Sequence, residues 1–345
     1  MTISPVAGVL THDAPGEFRA AIVDAKNRPA GLFLRRWGGV NDRARFGDVA
    51  RARIRMFADH TSGAFLELTS GEEAFLNLKS RTGLTEGAIV SVEVRSEARH
   101  GKLARVSLTE RNADGKTPFD RWRESFPGGR KLTPIDDEDA VSTAFGEAAY
   151  KSVMLPGGGQ LHIDRTRALT AFDIDTAGRV STGSAGARAL SINREATIEM
   201  ARQASLRGLG GNLVLDCLGP LNAASKDVIL ERTRDAFTNL GLAGAKVLKP
   251  SPLGLLESSI PWRFMPIEDQ LNANAGETTL LNLLSALQRE ARATPTALYN
   301  LSLGGAVRQA YLARKTEVSH AIEHHFGGRV IVVQSADSKS EFVKR

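Results

Sequence analysis

A single cysteine, Cys217, is all the thiol that this 345-residue chain contains. No intrachain disulfide can form from it, and a zinc site built on paired cysteines is excluded. No stretch approaches the run of about 20 apolar residues that crosses a bilayer. Residues 1–15 lack the basic start and apolar stretch of a secretory leader, so the expected location is the cytoplasm, with no membrane partner. Internal repeats and low-complexity tracts are missing as well.

What is present is a chain able to fold. Hydrophobic residues make up 42% of it, enough for real cores and too many for a disordered polymer. Its length suggests two or three domains. The net charge of +6 and the pI of about 9.6 favour a polyanionic partner, because Lys and Arg attract phosphates and displace their counterions.

Residues 18–24 and 31–37 read as two strands joined by a turn at Asn27-Arg28-Pro29. Then Ala50, Ala52, Ile54 and Met56 alternate with Arg51, Arg53 and Arg55, the period of a half-buried strand. Runs at 63–68, 74–78, 88–95 and 103–108 follow between turn signals. Five short antiparallel strands in so little sequence predict a small OB-type barrel. Residues 111–134, polar and rich in Pro and Gly, read as a connector.

After the connector, helical and strand-like segments alternate. Helices are expected at 136–150, 193–207 and 224–240, and strands within 161–175 and at 213–216 and 245–249. A further helix (278–292), strand (297–303), helix (306–325) and strand (329–334) close the chain. The alternation indicates mixed α/β structure.

Two of these strands end on carboxylates. Ala171-Phe172-Asp173-Ile174-Asp175-Thr176 ends one, and Leu213-Val214-Leu215-Asp216 ends the other. Carboxylates at the C-terminal ends of apolar strands stand where a mixed sheet opens to ligands. Two on neighbouring strands can share a hard cation such as magnesium, which takes one or two protein carboxylates and leaves positions for water and phosphate. Spacing alone leaves open the alternative that these aspartates only start turns or cap helices.

The surrounding sequence falls into ordered blocks. The blocks are Leu155-Pro156-Gly157-Gly158-Gly159, then Ile163-Asp164-Arg165-Thr166, then Ala168-Leu169-Thr170-Ala171-Phe172-Asp173-Ile174-Asp175. Asn193, Glu195-Ala196, Ala201-Arg202-Gln203, Leu206-Arg207, Leu209-Gly210-Gly211 and Val214-Leu215-Asp216 follow in order, and Leu253-Gly254-Leu255-Leu256-Glu257 adds another. In this order and spacing the blocks resemble the ribonuclease E/G family, and ordered blocks are more specific than any one motif.

That resemblance implies an α+β multidomain fold. A split subdomain like RNase H is expected at residues 1–45 and 111–148, with an S1 barrel of the OB type inserted at 46–110. A DNase I-like catalytic α/β domain is expected at 149–268 and a small C-terminal α/β domain at 269–345. By the same resemblance Asp173 and Asp216 are the magnesium ligands, with manganese as a substitute. Asp175 stands where the family usually has an asparagine that orients the second aspartate, and it is counted with the catalytic set. Phe65, Phe75 and Lys102 (in His100-Gly101-Lys102) match RNA-binding positions of the barrel. The physics agrees, since bases stack on aromatic rings and a lysine meets the backbone. Both phenylalanines being barrel core is the alternative.

The activity implied is internal hydrolysis of single-stranded RNA, leaving a 5′-phosphate and a 3′-hydroxyl. Two departures stand out. Residues 110–134 are too few to hold the family's inserted 5′-sensor module. The zinc-linking cysteines are missing around Asn272-Ala273-Asn274-Ala275-Gly276, so no zinc and no zinc-linked dimer is expected, while a homo-oligomer of another kind stays open. The rival reading is a catalytically silent RNA-binding protein of the same fold. A pure binder gains nothing from negative charge facing phosphates, which argues against it. His320, His324 and His325 read as a solvated helix face. Arg121-Trp122-Arg123 fits either an RNA-stacking group or a linker anchored by its Trp.

Overall fold

Three antiparallel strands, β1 (Val6–Ala14), β2 (Glu17–Asp24) and β3 (Pro29–Arg36), begin a computed structural model that describes residues 5–37, 43–58, 62–78, 83–99, 101–179, 182–334 and 339–345. His100, next but one to the expected RNA-binding Lys102, lies outside the described residues. Strand β1 was not expected from sequence. Its Gly8, Thr11, His12 and Asp13 break the apolar alternation that would have marked it.

Next comes a closed barrel of β4 (Val49–Ala58), β5 (Gly63–Leu68), β6 (Glu73–Asn77), β7 (Ile89–Ser96) and β8 (Ala104–Leu108), in the order β4-β5-β6-β8-β7. The alternation read from sequence holds: Ala52, Ile54, Leu66, Leu76, Val92 and Val106 fill the interior. One expectation needs correction. The strands are not all antiparallel, because β6 and β8 close the barrel as a parallel pair, with Phe75 opposite Arg105. Strand order is a tertiary choice that residue pattern does not encode. The closed barrel fits an S1-like domain.

The connector is more structured than its polar composition suggested. Helix α1 (Pro118–Glu124) starts with a capping box at Thr117 and Asp120. Its Trp122 is 3% exposed and lies among Phe33, Phe119 and Phe126, so the anchoring alternative for Arg121-Trp122-Arg123 is the one realised. Strand β9 (Pro134–Asp136) then returns to pair in parallel with β1, and helix α2 (Glu138–Ala149) follows.

A six-stranded mixed sheet occupies the centre. Its strands are β10 (Ser152–Met154), β11 (Gln160–Arg165), β12 (Leu169–Asp175), β13 (Gly211–Asp216), β14 (Lys246–Val247) and β15 (Leu255–Ile260), in the order β10-β11-β12-β13-β15-β14. Only β12 and β13 run parallel, joined through the long helix α3 (Ala185–Arg207); helix α4 (Ala223–Asn239) follows β13. One face of the sheet, with Leu161, Phe172, Ile174, Leu213, Leu215 and Leu256, shares a single core with α3 and α4. The opposite face is open.

Helix α3 also packs against β3, so it lies between the first sheet and the central one. That explains its buried polar residues. Arg202 donates to the Pro29 carbonyl (2.6 Å) and to Glu147 of α2 (2.5 Å), and it pairs with Glu199 one turn back. Burial pulls the Arg202 guanidinium down, but Glu199 and Glu147 outweigh it and hold it above its usual range.

The C-terminal part holds α5 (Ile267–Asn272), α6 (Ala275–Ala293), β16 (Tyr299–Leu303), α7 (Gly305–Ala313), α8 (Lys315–Phe326), β17 (Val330–Gln334) and β18 (Glu341–Lys344). Leu280, Leu284 and Leu287 of α6 cover Tyr299, Leu301 and Leu303 of the β17-β16-β18 sheet. The single helix expected at 306–325 is two, because Arg314 leaves helical geometry and pairs with Glu277 of α6 at 3.1 Å. Among the described residues, no helix is long and apolar enough to cross a membrane.

Replacing Trp122 with Ala removes the largest side chain joining α1 to β3. The expected cost is about 3–5 kcal/mol, read from the midpoint of urea unfolding. A loss below about 1 kcal/mol would return α1 to the status of a surface linker.

Candidate active site on the open face of the central sheet

The open face is set by alternation. In β12, Thr170, Phe172 and Ile174 are buried, while Ala171, Asp173 and Asp175 point the other way. In β13, Leu213 and Leu215 are buried, while Val214 and Asp216 share that open side. The parallel register runs Leu169 with Asn212 through Phe172 with Leu215. Asp173 and Asp216 therefore occupy the next step side by side, on strands about 4.8 Å apart. Asp164 and Glu257 stand exposed on the same face.

Both aspartates are exposed, and among the described residues neither carboxylate has a hydrogen-bond or ion-pair partner. Like charges opposed on neighbouring strands destabilise a sheet, so the pair calls for a cation. Its donors are the hard oxygens of two carboxylates, with solvent beyond, which suits a magnesium ion that keeps several waters. No group of three or more His, Cys, Asp or Glu residues able to hold a metal occurs among the described residues. The site is an open two-carboxylate one, not a closed protein cage.

Asp175 differs from the other two. Its Oδ1 accepts the Ala177 N–H at 2.8 Å, an Asx turn at the strand end, and its Oδ2 lies 3.8 Å from Nε2 of His162. His162 is in register with Asp173 on β11 and belongs to the same open face. Sequence reading passed over His162. The only available signal was the pairing of β11 with β12, which places alternate residues of the two strands together.

The supports of the pair come from helix α3. Asn193 is fully buried and holds both backbone groups of Leu218, donating to its carbonyl and accepting its N–H, each at 2.9 Å. The chain leaving Asp216 is fixed two residues on. Between them Cys217 is buried, with its thiol pushed up to about 12 by burial and by the charge of Asp216.

On the other strand, Gly159 has φ +81°, and a Cβ there would sit 2.5 Å from the Asp175 carbonyl oxygen, so the loop before β11 passes close beneath the end of β12. That loop is held by Glu195, which accepts from the Gly157 N–H (2.8 Å) and from both Nη1 (2.9 Å) and Nη2 (2.8 Å) of Arg179. Asn193, Glu195 and the glycines thus brace the backbone on either side of the aspartate pair.

On the barrel, Phe65 and Phe75 face each other across β5 and β6, with ring centroids 5.3 Å apart and planes at 74°. Both are half-buried and lie on the outer face, outside the barrel core. Lys102 is exposed in the short hairpin Arg99–Lys102 that leads into β8. The hairpin is tied to the segment after β15. The Arg99 guanidinium lies 4.2 Å over the Trp262 ring, and Glu97 accepts the Met265 N–H at 3.0 Å and pairs with Arg43 at 3.2 Å. Burial, with Arg105 adding, lowers the Arg99 guanidinium to about 10.

Residues 123–259, which contain the whole central sheet except its last residue, match a sequence model described as the Ribonuclease E/G family. Through this segment the chain is similar to the ribonuclease E/G family. It is 36% identical over 126 residues to ribonuclease E of Haemophilus influenzae, covering 36% of this chain and 13% of that protein. Against ribonuclease G of Salmonella typhimurium it is 33% identical over 156 residues, 45% of this chain and 31% of the relative. A longer stretch, 227 residues or 60% of the chain, is 27% identical to ribonuclease E of Buchnera aphidicola and covers 24% of it. The chain thus spans less than a third of the length of each of these relatives.

Glu195 gives this arrangement a pH signature. Burial pushes its carboxyl up, but Arg179 and the Gly157 N–H outweigh that and hold it below its ordinary value. A depressed carboxyl stabilises fully above its unfolded value, and the contribution disappears as pH falls through the folded value. Glu195→Gln should therefore lower the melting temperature at neutral pH and flatten its fall through the acid carboxylate range. Identical acid limbs in both proteins would show that Glu195 bears no such load.

Proposed function

We propose that this chain is an endoribonuclease, a hydrolase of phosphodiester bonds that cuts single-stranded RNA internally. The observation that carries it is the in-register, unpaired pair Asp173 and Asp216 at the ends of parallel β12 and β13, inside the segment that matches the family. The relatives' names, ribonuclease E and ribonuclease G, support the same reading. The finer reading of the domains belongs to the proposal as well: an RNase H-like subdomain around an S1 barrel, a DNase I-like catalytic domain and a C-terminal α/β domain.

Asp173 and Asp216 would hold a magnesium ion, or manganese in its place, and Asp175 would support them from the strand end. A bound divalent ion supplies charge neutralisation at the scissile phosphate and an activated water. Phe65 and Phe75 stack bases of the strand, and Lys102 meets its backbone. Water attacks phosphorus and the bond to the 3′ oxygen breaks, which leaves a 5′-phosphate and a 3′-hydroxyl. Asn193 and Glu195 touch no substrate in this scheme; they fix the backbone that carries the carboxylates.

Purified protein incubated with a single-stranded RNA oligonucleotide should cut it with magnesium and not with a chelator. Asp173→Asn or Asp216→Asn should abolish cutting while RNA binding and fold persist, because a lost ligand removes charge stabilisation at the transition state. Full activity in either variant would overturn the metal assignment. Magnesium-independent RNA binding with no cleavage under any condition would favour the silent binder.

The second expectation concerns the 5′ end. In the segment 110–134 every arginine faces a carboxylate: Arg111 with Glu93 (3.5 Å), Arg121 with Asp48 and Asp114, Arg123 with Asp120 (3.1 Å) and Arg130 with Glu124 (4.0 Å). Guanidiniums spread along one short segment, each facing its own carboxylate, do not form a pocket for a terminal phosphate. Cleavage of one oligonucleotide bearing a 5′-monophosphate, 5′-triphosphate or 5′-hydroxyl should proceed at closely similar rates. A tenfold preference for the monophosphate, about 1.4 kcal/mol, would overturn this.

A further inference from the structure

The barrel's outer face carries more than its two phenylalanines. Cross-strand register places Met56 of β4 opposite Phe65, Phe65 opposite Phe75, and Phe75 opposite Arg105 of β8. In-register neighbours project to the same side of a sheet. The buried neighbours confirm which side it is, since Ala64, Leu66, Ala74, Leu76, Ala104 and Val106 all point into the barrel. Met56, Phe65, Phe75 and Arg105 therefore form one outward row across four adjacent strands.

Three features make this row read as a built surface. Met56 is 54% exposed, an unbranched thioether beside an aromatic pair. The Phe75 ring lies across Gly63, where an added Cβ would sit 2.4 Å from the ring, so the bare backbone of β5 lets the ring lie flat against the barrel. Arg105 is exposed, and among the described residues it has no carboxylate partner, whereas Arg55 pairs with Glu67, and Arg95 and Arg111 pair with Glu93. It also stands close enough to the buried Arg99 to disfavour that group's charge. A cation left unpaired next to another cation is held ready for an anion.

We propose that Arg105 is a phosphate-binding residue of the barrel, contacting the backbone of the nucleotide stacked on Phe75, with Met56 closing the other end of the same strip. Three strand spacings span about 14 Å, room for two nucleotides laid across the strands. The ligand class is single-stranded RNA, and the inference rests on the RNA-binding reading above. The contact differs from that of Lys102, which projects from the hairpin before β8 and not from the row itself.

The test is binding of fluorescein-labelled single-stranded RNA, oligo(U) and oligo(A) of equal length, to the full chain at several salt concentrations, read by fluorescence anisotropy. Arg105→Ala should weaken binding about tenfold for both sequences and lower the slope of log affinity against log salt by about one. Arg105→Lys should restore most of the salt slope, because a point charge suffices for phosphate. Arg105 is exposed, so the variants should fold, as checked by circular dichroism. Unchanged affinity and slope in Arg105→Ala, with Phe75→Ala clearly weakened, would overturn this proposal and leave the RNA-binding reading standing. A loss confined to one base would replace the phosphate contact with a base contact and overturn it too. Failure of the native chain to bind either RNA would remove both readings together.

Discussion

Helix α3 is the constraint on which the rest of the structure depends. It connects the two parallel strands of the central sheet, and a parallel pair needs such a crossover because no tight turn can join strands that start at the same end. Lying between two sheets, it is buried on nearly every side from Ala189 to Leu206. Burial of that extent forces its polar residues to find partners inside the protein. Arg202 and Gln203 find theirs in Glu147 of α2, which ties the first sheet to the central one. Asn193 and Glu195 find theirs in the two loops that flank the aspartate pair.

The same helix therefore does two jobs with one set of residues. Its buried polar side chains stabilise the junction of the two sheets, and they also fix the backbone at both strand ends where the carboxylates stand. Unsatisfied buried polar groups are costly, so each of these contacts resists displacement. The site needs that rigidity, because Asp173 and Asp216 repel each other and an unbraced strand end would relieve the repulsion by moving apart. Holding two like charges side by side is a cost that folding itself does not require, and in the proposed function a bound cation would offset it.

The barrel contributes a second surface on a separate frame. Its attachment through Arg99, Trp262, Glu97 and Met265 joins it to the segment immediately after β15, the strand that pairs with β13. The frame that carries Asp216 and the frame that carries Phe65, Phe75 and Arg105 are thus linked through a few residues between 261 and 265. The buried Arg99 guanidinium and the Glu97 carboxylate make that link polar and directional, which specifies orientation better than an apolar contact would.

Much of this was legible in the residues themselves. Alternation of apolar and polar positions revealed the barrel strands nearly to the residue, because a half-buried strand must alternate whatever its neighbours are. Ordered blocks from Leu155 to Asp216 pointed to the family whose model matches residues 123–259. Tertiary structure decided what depends on distant partners. It made β6 and β8 parallel, set Arg105 beside Phe75, and put His162 beside Asp173. It buried Trp122 of a segment that reads as a polar connector, because composition averages over a helix whose one large residue points inward. Asp175 shows the division most plainly. Its sequence position could mean a ligand or a turn, and only the fold shows one oxygen on the Ala177 N–H and the other facing His162. Local pattern is written along the chain, whereas register and strand order arise from contacts between segments far apart in it.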